Sequence, residues 1–231
     1  MSGLRIEKLE FAYPGAAPVL RGVDLEVAPR EIYCLLGANG SGKSTLLACI
    51  LGFLTPQHGT ICVDGLDCGR EPQAVRRRLA YVPESVALWG FLTAWEHVRL
   101  FADVMGTATD PGECLATFGL PKEAWRQRAG TFSKGMRQRL ALALATMGSP
   151  RVALLDEPTS GLDPDSAQSV ANMLRTLAAS GVAVLVVTHD LWLVAQAADR
   201  FGILRGGTIV HHGTPREGEL LGSLFAQGVS S

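Results

Sequence analysis

The chain has 231 residues, of which 47% are apolar and 19% charged, and its formal net charge is −1. This balance is typical of a folded globular protein and argues against a disordered one. It also argues against nucleic acid as a partner, because nucleic-acid-binding proteins usually carry a basic surplus or a basic stripe. The one dense basic cluster, formed by residues 76–78, is interpreted as a solvated face.

Cysteine spacing and hydropathy indicate whether disulfides, a metal site or a membrane span are expected. The five cysteines include no C-x-x-C pair, so neither a disulfide framework nor a metal cage is predicted. Cys34 and Cys49 lie in apolar runs and are expected to be reduced core residues. The N-terminal residues lack the apolar core of a signal peptide, and no apolar run approaches the ~20 residues that cross a bilayer. We therefore expect that the chain does not itself span a membrane.

The first thirty residues alternate apolar and polar side chains and are broken by Pro-Gly and Ala-Pro turns, which predicts antiparallel strands. The apolar run Ile32–Leu36, a glycine-rich loop and a helical stretch over 43–51 then predict the start of a parallel α/β unit. Further strands are predicted at 59–64, 79–82, 152–155, 182–187 and 201–204. A helix is expected to begin at Pro164, since proline suits the first helical turn.

Between residues 85 and 148 the periodicity becomes helical. Trp95, Val98 and Ala102 recur at helical spacing, and so do Leu140 and Leu144. The predicted fold class is therefore α/β, with a helical insertion at about 85–148 within one domain that covers residues 1–231.

The glycine-rich loop fits the pattern G-x-x-x-x-G-K-[ST] in full. Glycine turns allow several backbone N–H groups to converge on phosphate oxygens, and the following helix directs its positive end at the same anion. The lysine is expected to reach the β and γ phosphates of a nucleotide, and the final serine hydroxyl to ligate Mg²⁺. The residues of the loop are Gly37, Ala38, Asn39, Gly40, Ser41, Gly42, Lys43 and Ser44.

Two adjacent acids follow the apolar strand at 152–155. Ligands gather at the carboxyl ends of parallel strands, so Asp156 is predicted to hold Mg²⁺ and Glu157 to orient or deprotonate an attacking water. His189 follows the next apolar strand and could polarise the γ-phosphate or the water. A lone histidine at a strand end is more often structural, so His189 is only a weak candidate by itself.

Several further motifs stand in a recognisable order. GANGSGKST at 37–45, which ends at Thr45, and VALLDEP at 152–158 are joined by FSKGMRQR at 132–139, SGLD at 160–163 and THD at 188–190. Together with Tyr13, this set resembles the ATP-binding subunit of ABC transporters over nearly the whole chain. The D-loop of that family corresponds to residues 160–163, and its switch histidine to His189, which the resemblance makes a functional candidate.

The resemblance implies a P-loop ATPase core of mostly parallel sheet, with an N-terminal antiparallel β subdomain and an inserted helical subdomain. It implies that Tyr13 stacks on adenine, and that two ATP-binding subunits close head to tail on ATP and Mg²⁺. Ser133 and Gly135 of one subunit would then contact the ATP held by Lys43 of the other. The resemblance also implies a separate transmembrane permease subunit and a location at the cytoplasmic face of the membrane.

Two positions depart from the usual family pattern. The signature Leu-Ser-Gly-Gly-Gln reads Phe-Ser-Lys-Gly-Met, a variant that resembles ABC-2-type systems, which are largely exporters. The glutamine of the Q-loop is replaced by Glu84, which can still reach Mg²⁺ or water but adds a negative charge.

Two questions stay open at the level of sequence. Trp89, Phe91 and Trp95 are expected to be core residues, although at least one of them could face a membrane partner.

The alternative function is a soluble ABC-type ATPase that acts on ribosomes or DNA. Such proteins usually carry two nucleotide domains, a long coiled coil or a basic arm, none of which is evident in this sequence.

Overall fold

The computed structural model describes residues 3–215, so the predicted domain limits at residues 1 and 231 lie outside the described part. Its elements fall into two sheets and surrounding helices. The strands are β1 (Leu4–Ala12), β2 (Pro18–Val27), β3 (Ile32–Leu36), β4 (His58–Val63), β5 (Leu66–Asp67), β6 (Leu79–Val82), β7 (Val152–Asp156), β8 (Ala183–Thr188), β9 (Arg200–Arg205) and β10 (Thr208–Gly213). The α-helices are α1 (Lys43–Ile50), α2 (Pro72–Arg76), α3 (Ala94–Met105), α4 (Pro111–Thr117), α5 (Lys134–Thr146), α6 (Pro164–Ala179) and α7 (Leu191–Ala197).

The smaller sheet is antiparallel and has the strand order β2-β1-β4-β5. In β1, Leu4 and Ile6 are buried while Arg5 between them is exposed, because successive side chains of a strand point to opposite faces. The antiparallel strands predicted from the alternation of the first thirty residues are thus confirmed.

The larger sheet has the order β10-β9-β3-β8-β7-β6, and all neighbouring strands except β10 and β9 are parallel. Leu36 pairs with Thr188, Val187 with Asp156, and Leu155 with Val82. The carboxyl ends of β3, β8, β7 and β6 therefore meet at one edge of the sheet, which is where the predicted site residues follow.

The central strand β3 separates two hydrophobic layers. Tyr33 and Leu35 face the core shared with the antiparallel sheet and α1. Cys34 and Leu36 face the opposite core, which α6 and α7 cover. Every residue of β3 is buried, which explains its continuous apolar run. Cys34 and Cys49 are both free and buried, as predicted.

The helices between β6 and β7 have a hydrophobic cluster of their own, to which Val98, Leu115, Leu140 and Leu144 contribute. The side chain of Thr93 and that of Glu96 form a reciprocal capping box at the start of α3. The first helix of this region therefore begins at Ala94, and residues 85–93 before it are irregular. Two short 3₁₀ turns, Lys122–Ala124 and Ala129–Thr131, lead to α5.

The aromatic residues just after β6 differ from the sequence-based expectation. Trp89 is 48% exposed and Phe91 is 69% exposed, so the prediction that both are core residues is wrong. The irregular course of the loop leaves Phe91 outside the cluster, whereas Trp89 lies at its edge, where it stacks on the buried ring of His97 and contacts the ring of Phe101. Trp95, which lies on α3, does pack against the cluster.

Two further expectations concern charge and hydropathy. Arg76 and Arg77 are exposed, in agreement with a solvated face, whereas Arg78 forms an ion pair with Asp64. Within residues 3–215, no helix combines the length and apolarity that a membrane span requires.

Candidate nucleotide site

The phosphate loop joins β3 to α1 and leaves the start of that helix uncapped by any side chain. Gly42 occupies the N-cap position with φ 109°, and no side-chain hydrogen bond satisfies the first helical N–H groups there. Gly40 also has a positive φ, of 80°. Free N–H groups at a helix start, together with the positive end of the helix dipole, form an anion-binding arrangement.

Two glycines of the loop are required for different reasons. A Cβ atom on Gly37 would lie 2.5 Å from Ser41 Oγ and 2.8 Å from Leu204 O, so no side chain fits at this position. At Gly42 a Cβ atom would lie 3.0 Å from Leu20 Cδ2, and the positive φ is itself unfavourable for other residues. The local packing thus accounts for these glycines.

Lys43 is buried and its ammonium group lies over the loop. Nζ donates hydrogen bonds to Gly37 O at 2.6 Å and to Ala38 O at 3.1 Å. Burial lowers the pKa of Lys43, while the carboxylates of Glu157 and Asp156 act in the opposite direction. The loop therefore presents a cation that is held by carbonyl groups and faces two acids.

Asp156 and Glu84 bring negative charge to the same edge of the sheet. The pKa of Asp156 is raised, first by burial and then by the charges of Glu157 and Glu84, and Lys43 opposes this shift. These four residues lie at or just beyond the carboxyl ends of β3, β6 and β7, so the shared sheet edge assembles groups that are far apart in sequence, as predicted for ligand sites in parallel sheets.

The Glu157 side chain is fixed by two residues at the carboxyl end of β8. Its Oε1 lies 2.8 Å from Nδ1 of His189, and its Oε2 accepts a 2.9 Å hydrogen bond from Thr188 Oγ1. Because a carboxylate only accepts, the proton of the histidine ring resides on Nδ1 in this arrangement. The Glu157 side chain is 10% exposed and that of His189 is 60% exposed, so the acid is mostly buried while its histidine partner remains accessible to solvent.

Sequence reasoning gave no role to three residues that support this pair. Thr188 is fully buried and also accepts a hydrogen bond from the Asp190 amide at 3.0 Å. Thr159 Oγ1 donates to Asp190 Oδ2 at 2.8 Å, and Asp190 in turn caps α7. The hydroxyl at the end of a buried strand was the available signal for Thr188.

Glu84 makes a contact that the sequence did not predict. Its Oε1 accepts a 3.2 Å hydrogen bond from Ser160 Oγ, a residue of the loop that follows Glu157. In the sequence, Ser160 stands out only as the first residue of the SGLD motif.

Ser133 and Gly135 lie at the start of α5. Ser133 is the N-cap, and its Oγ accepts a 3.2 Å hydrogen bond from the amide of Met136. Gly135 is buried, and a Cβ atom on it would lie 2.6 Å from Ser166 Oγ, so the close approach of α6 requires glycine. The contacts described for both residues are with α5 and α6, not with the phosphate loop of the same chain.

The remaining predicted residues lie around the phosphate loop. Tyr13 is 44% exposed, packs edge-on against Phe11, and its hydroxyl lies 3.4 Å from Thr45 Oγ1. Asn39 and Ser44 are exposed. Ser41 Oγ is buried and has no hydrogen-bond partner within residues 3–215.

The oxygen groups of the site fit Mg²⁺ better than a softer metal. The exposed hydroxyl of Ser44 and the half-buried carboxylate of Asp156 are hard oxygen donors of the kind that Mg²⁺ prefers. Over the part of the chain that is described, no group of three or more His, Cys, Asp or Glu side chains is arranged to hold a metal. Few protein ligands are typical of Mg²⁺ sites, where phosphates and water complete the coordination.

Comparison with protein families supplies the decisive observation, because a family model described as ABC transporter matches residues 20–160. The chain belongs to the ABC transporter family. It is 35% identical over 216 residues to the fluoroquinolones export ATP-binding protein of Mycobacterium tuberculosis, which covers 93% of the chain and 71% of that protein. It is 31% identical to the linearmycin resistance ATP-binding protein of Bacillus subtilis, over 91% of the chain and 69% of that protein.

Other relatives broaden this picture. A methionine import ATP-binding protein of Streptomyces griseus is 35% identical, over 90% of the chain and 64% of that protein. A solved dimeric ATP-binding cassette in a post-hydrolysis state with ADP and phosphate superposes with a TM-score of 0.80 at 26% identity, covering 92% of the chain and 99% of that structure. The chain is thus the ATP-binding and ATP-hydrolysing subunit of an ABC transporter and works with transmembrane components. The alternative of a soluble ATPase on ribosomes or DNA is not favoured.

Proposed function

We propose that this ABC subunit powers export through a separate transmembrane permease, at the cytoplasmic face of the membrane, as a dimer that closes on two MgATP molecules. The observation that carries the proposal is the Glu157 carboxylate, which is held by Thr188 and His189 at the same sheet edge as Lys43. The proposal treats the whole chain as one ATP-binding domain with a helical subdomain at about 85–148.

Nucleotide binding is assigned to the phosphate loop. Backbone N–H groups of 37–42 and the start of α1 surround the phosphates, and Lys43 exchanges its loop carbonyls for phosphate oxygens. Tyr13 has enough exposed ring surface to stack on adenine, and its contact with Thr45 keeps the ring near α1.

Hydrolysis is assigned to Glu157 and His189. Glu157 orients the attacking water and accepts its proton, while Thr188 and His189 keep the carboxylate in one orientation. His189 leaves its second ring nitrogen, Nε2, free of this hydrogen bond and able to approach the γ-phosphate.

Ser44, Asp156 and Glu84 are the residues proposed to hold Mg²⁺, directly or through water. When bound with ATP, Mg²⁺ neutralises charge that develops on the phosphate oxygens. Glu84 has its Oε1 engaged by Ser160, so its part in metal binding is the least direct of the three.

Dimer closure is proposed because Ser133 and Gly135 have no described contact with the phosphate loop of their own chain. A second ATP-binding subunit, in the simplest case another copy of this chain, brings its phosphate loop to the start of α5. The dimeric solved cassette with ADP and phosphate supports this arrangement. An isolated protomer is therefore expected to bind ATP and hydrolyse it poorly.

The permease is proposed to contact the exposed aromatic loop between β6 and α3. Trp89 and Phe91 expose apolar surface in the loop that begins just after Glu84, so a partner held there is connected to the ATP site through a few residues of chain. Export is proposed because the fluoroquinolone and linearmycin relatives are export and resistance proteins, and nucleic acid is not proposed as a partner.

Glu157→Gln is the direct test of the hydrolytic assignment. The variant keeps the size and an acceptor oxygen of the side chain but is a poor base, so we expect ATP turnover to fall at least 100-fold while ATP binding persists. An ATP-bound dimer should then accumulate in size-exclusion chromatography. Glu123→Gln changes an exposed glutamate of the helical region and serves as the matched control. Undiminished hydrolysis by Glu157→Gln would sink the base assignment.

The direction of transport and the identity of the permease need a separate experiment. The tagged chain is purified from membranes, and a co-purifying multi-span protein is identified by mass spectrometry and co-expressed with the chain. We expect cells with this pair to accumulate less norfloxacin than cells whose chain carries Glu157→Gln. Equal accumulation of norfloxacin leaves that substrate unsupported, and ATP-dependent uptake of a cargo by the pair would contradict export.

A further inference from the structure

The loop after Glu157 is the connection between the proposed base and α6. Glu157 itself has φ 46°, a left-handed conformation that is uncommon for a residue with a side chain. Its carbonyl accepts the amide of Ser160 at 3.1 Å, and its amide donates to Val187 O at 2.8 Å. Because such a conformation persists only where its surroundings enforce it, the contacts of this loop determine where the Glu157 carboxylate lies.

Glu84 contacts this turn through the side chain of Ser160. Ser160 Oγ donates to Glu84 Oε1 at 3.2 Å across 76 positions of sequence. Val86, two residues beyond Glu84, and Leu162, two beyond Ser160, pack against the same hydrophobic cluster. The two segments are therefore fixed to a common core on one side and joined by a hydrogen bond on the other.

Lys134 lies against the next residue of the same turn. Gly161 has φ 63°, and a Cβ atom on it would lie 3.0 Å from Lys134 Nζ. Glu84 and Lys134 are the two charged residues by which this chain departs from the usual family pattern, and both contact the two-residue segment Ser160-Gly161. A carboxylate at Glu84 and an ammonium group at Lys134 thus replace neutral residues around one short turn.

We propose that Glu84 is a positioning residue for hydrolysis: through Ser160 it holds the turn that sets the backbone of Glu157. This role differs from metal binding, because it depends on an acceptor oxygen at residue 84 and a hydroxyl at residue 160, not on negative charge as such. The inference rests on the proposed role of Glu157 as the base. Loss of the contact lowers kcat and leaves the KM for ATP nearly unchanged, since the phosphate loop is not altered.

A double-mutant cycle tests the proposal on the full chain assembled with its permease. The variants are Glu84→Ala, Ser160→Ala and the combination of both, with Ser160→Thr and Glu84→Gln as conservative replacements. Each alanine variant is expected to lower kcat about fivefold, and the double variant no further than the more impaired single one. Ser160→Thr keeps the hydroxyl and should recover most of the rate. Glu84→Gln keeps an acceptor and should lose less than Glu84→Ala.

The controls separate positioning from folding and from nucleotide binding. Ser180→Ala removes a hydroxyl from the residue that caps the other end of α6, where it bonds only to Leu177 O, and should not change kcat. Binding of a fluorescent ATP analogue and thermal unfolding are measured for every variant. For Ser160→Ala both should stay close to the unsubstituted chain, because Ser160 lies outside the phosphate loop, the proposed Mg²⁺ ligands and the hydrophobic core. A change in binding that is confined to the Glu84 variants would report the proposed contact of Glu84 with Mg²⁺, and kcat is then compared at saturating MgATP.

Three results would overturn the inference: a normal kcat for Ser160→Ala, additive losses in the double variant, or a Glu84→Gln variant as impaired as Glu84→Ala. The last of these would assign Glu84 to charge alone. Failure of the proposed function is distinguishable, because it shows as continued turnover in Glu157→Gln. If Glu157→Gln is inactive and the cycle is additive, only the positioning role falls.

Discussion

Helices α1 and α5 both begin at a proposed phosphate contact, yet their N-termini are built differently. At α1 the N-cap is Gly42, which offers no side chain, so the first N–H groups remain available and the buried Lys43 lies beside them. At α5 the N-cap is Ser133, whose own hydroxyl already accepts the amide of Met136. The first terminus has no side-chain cap, whereas at the second the cap hydroxyl already satisfies one of the first amides.

In the proposed dimer, each ATP lies between the start of α1 of one subunit and the start of α5 of the other. The difference between these two helix starts predicts that they contribute differently to ATP binding and to turnover. An uncapped helix start next to a cation gains most of its hydrogen bonds from the ligand, so α1 should supply most of the ATP affinity. A capped start gains less, so Ser133 should matter only once a second subunit has brought its ATP close. Affinity is then a property of one chain, and turnover a property of two.

The largest expected effect is that of Lys43→Ala. This substitution removes the cation from the open terminus, and we expect the affinity for ATP to fall about 100-fold, which corresponds to about 2.7 kcal/mol. Isothermal titration of the isolated chain with MgATP measures the change. Lys122→Ala, which removes an exposed lysine from a 3₁₀ turn, is the control. Normal ATP binding by Lys43→Ala would contradict the phosphate cradle and the comparison with α5.

Gly42→Ala is expected to have the second-largest effect. The positive φ of Gly42 disfavours alanine, and the new methyl group would meet Leu20 Cδ2 at 3.0 Å. Such strain is of the order of 1–3 kcal/mol, so ATP affinity should fall about tenfold or the melting temperature should drop by several degrees. Shortening Leu20 to Ala should not restore binding, because the backbone conformation is the main obstacle. Recovery with Leu20→Ala would instead show that only space is limiting.

Gly135→Ala probes the matching glycine of α5, where the requirement is space and not backbone conformation. Its methyl group would meet both Oγ and Cβ of Ser166, at 2.6 and 2.9 Å. We expect ATPase activity of the assembled transporter to fall severalfold while ATP binding by the isolated chain is unchanged. Ser166→Gly clears both atoms and should restore part of the activity in the double variant. A lack of rescue would indicate that Gly135 acts through contact with the partner subunit's ATP alone.

Local sequence patterns predicted the start of α1 better than they predicted the contacts around the start of α5. The strand β3, the glycine-rich loop and the start of α1 follow each other within 20 residues, so periodicity and motif spacing identified them. The start of α6 at Pro164 was also predicted, from the proline itself, and the helical periodicity of Leu140 and Leu144 indicated α5. Short elements without strong periodicity, namely β5, α2, α7 and β10, were missed.

What the sequence did not reveal depends on contacts between distant segments. The Glu84–Ser160 hydrogen bond and the approach of Gly135 to Ser166 join residues that no local pattern relates. The exposure of Trp89 and Phe91 was also mispredicted, because apolar residues in an irregular loop have no periodicity that indicates which side faces the core.

Ser133→Ala is expected to have the smallest effect and gives the sharpest test of the comparison. Loss of a serine N-cap costs about 1 kcal/mol of helix stability, so the chain should unfold at a slightly lower temperature. ATP binding by the isolated chain should not change, because that affinity comes from α1. The kcat of the assembled transporter should fall about threefold, beyond what the stability loss explains, if the hydroxyl also contacts ATP across the dimer. Ser133→Asp separates the two roles, since aspartate is an equally good N-cap but places a negative charge next to phosphate. It should keep the stability and lose more activity than alanine, whereas unchanged activity of Ser133→Asp would confine Ser133 to capping.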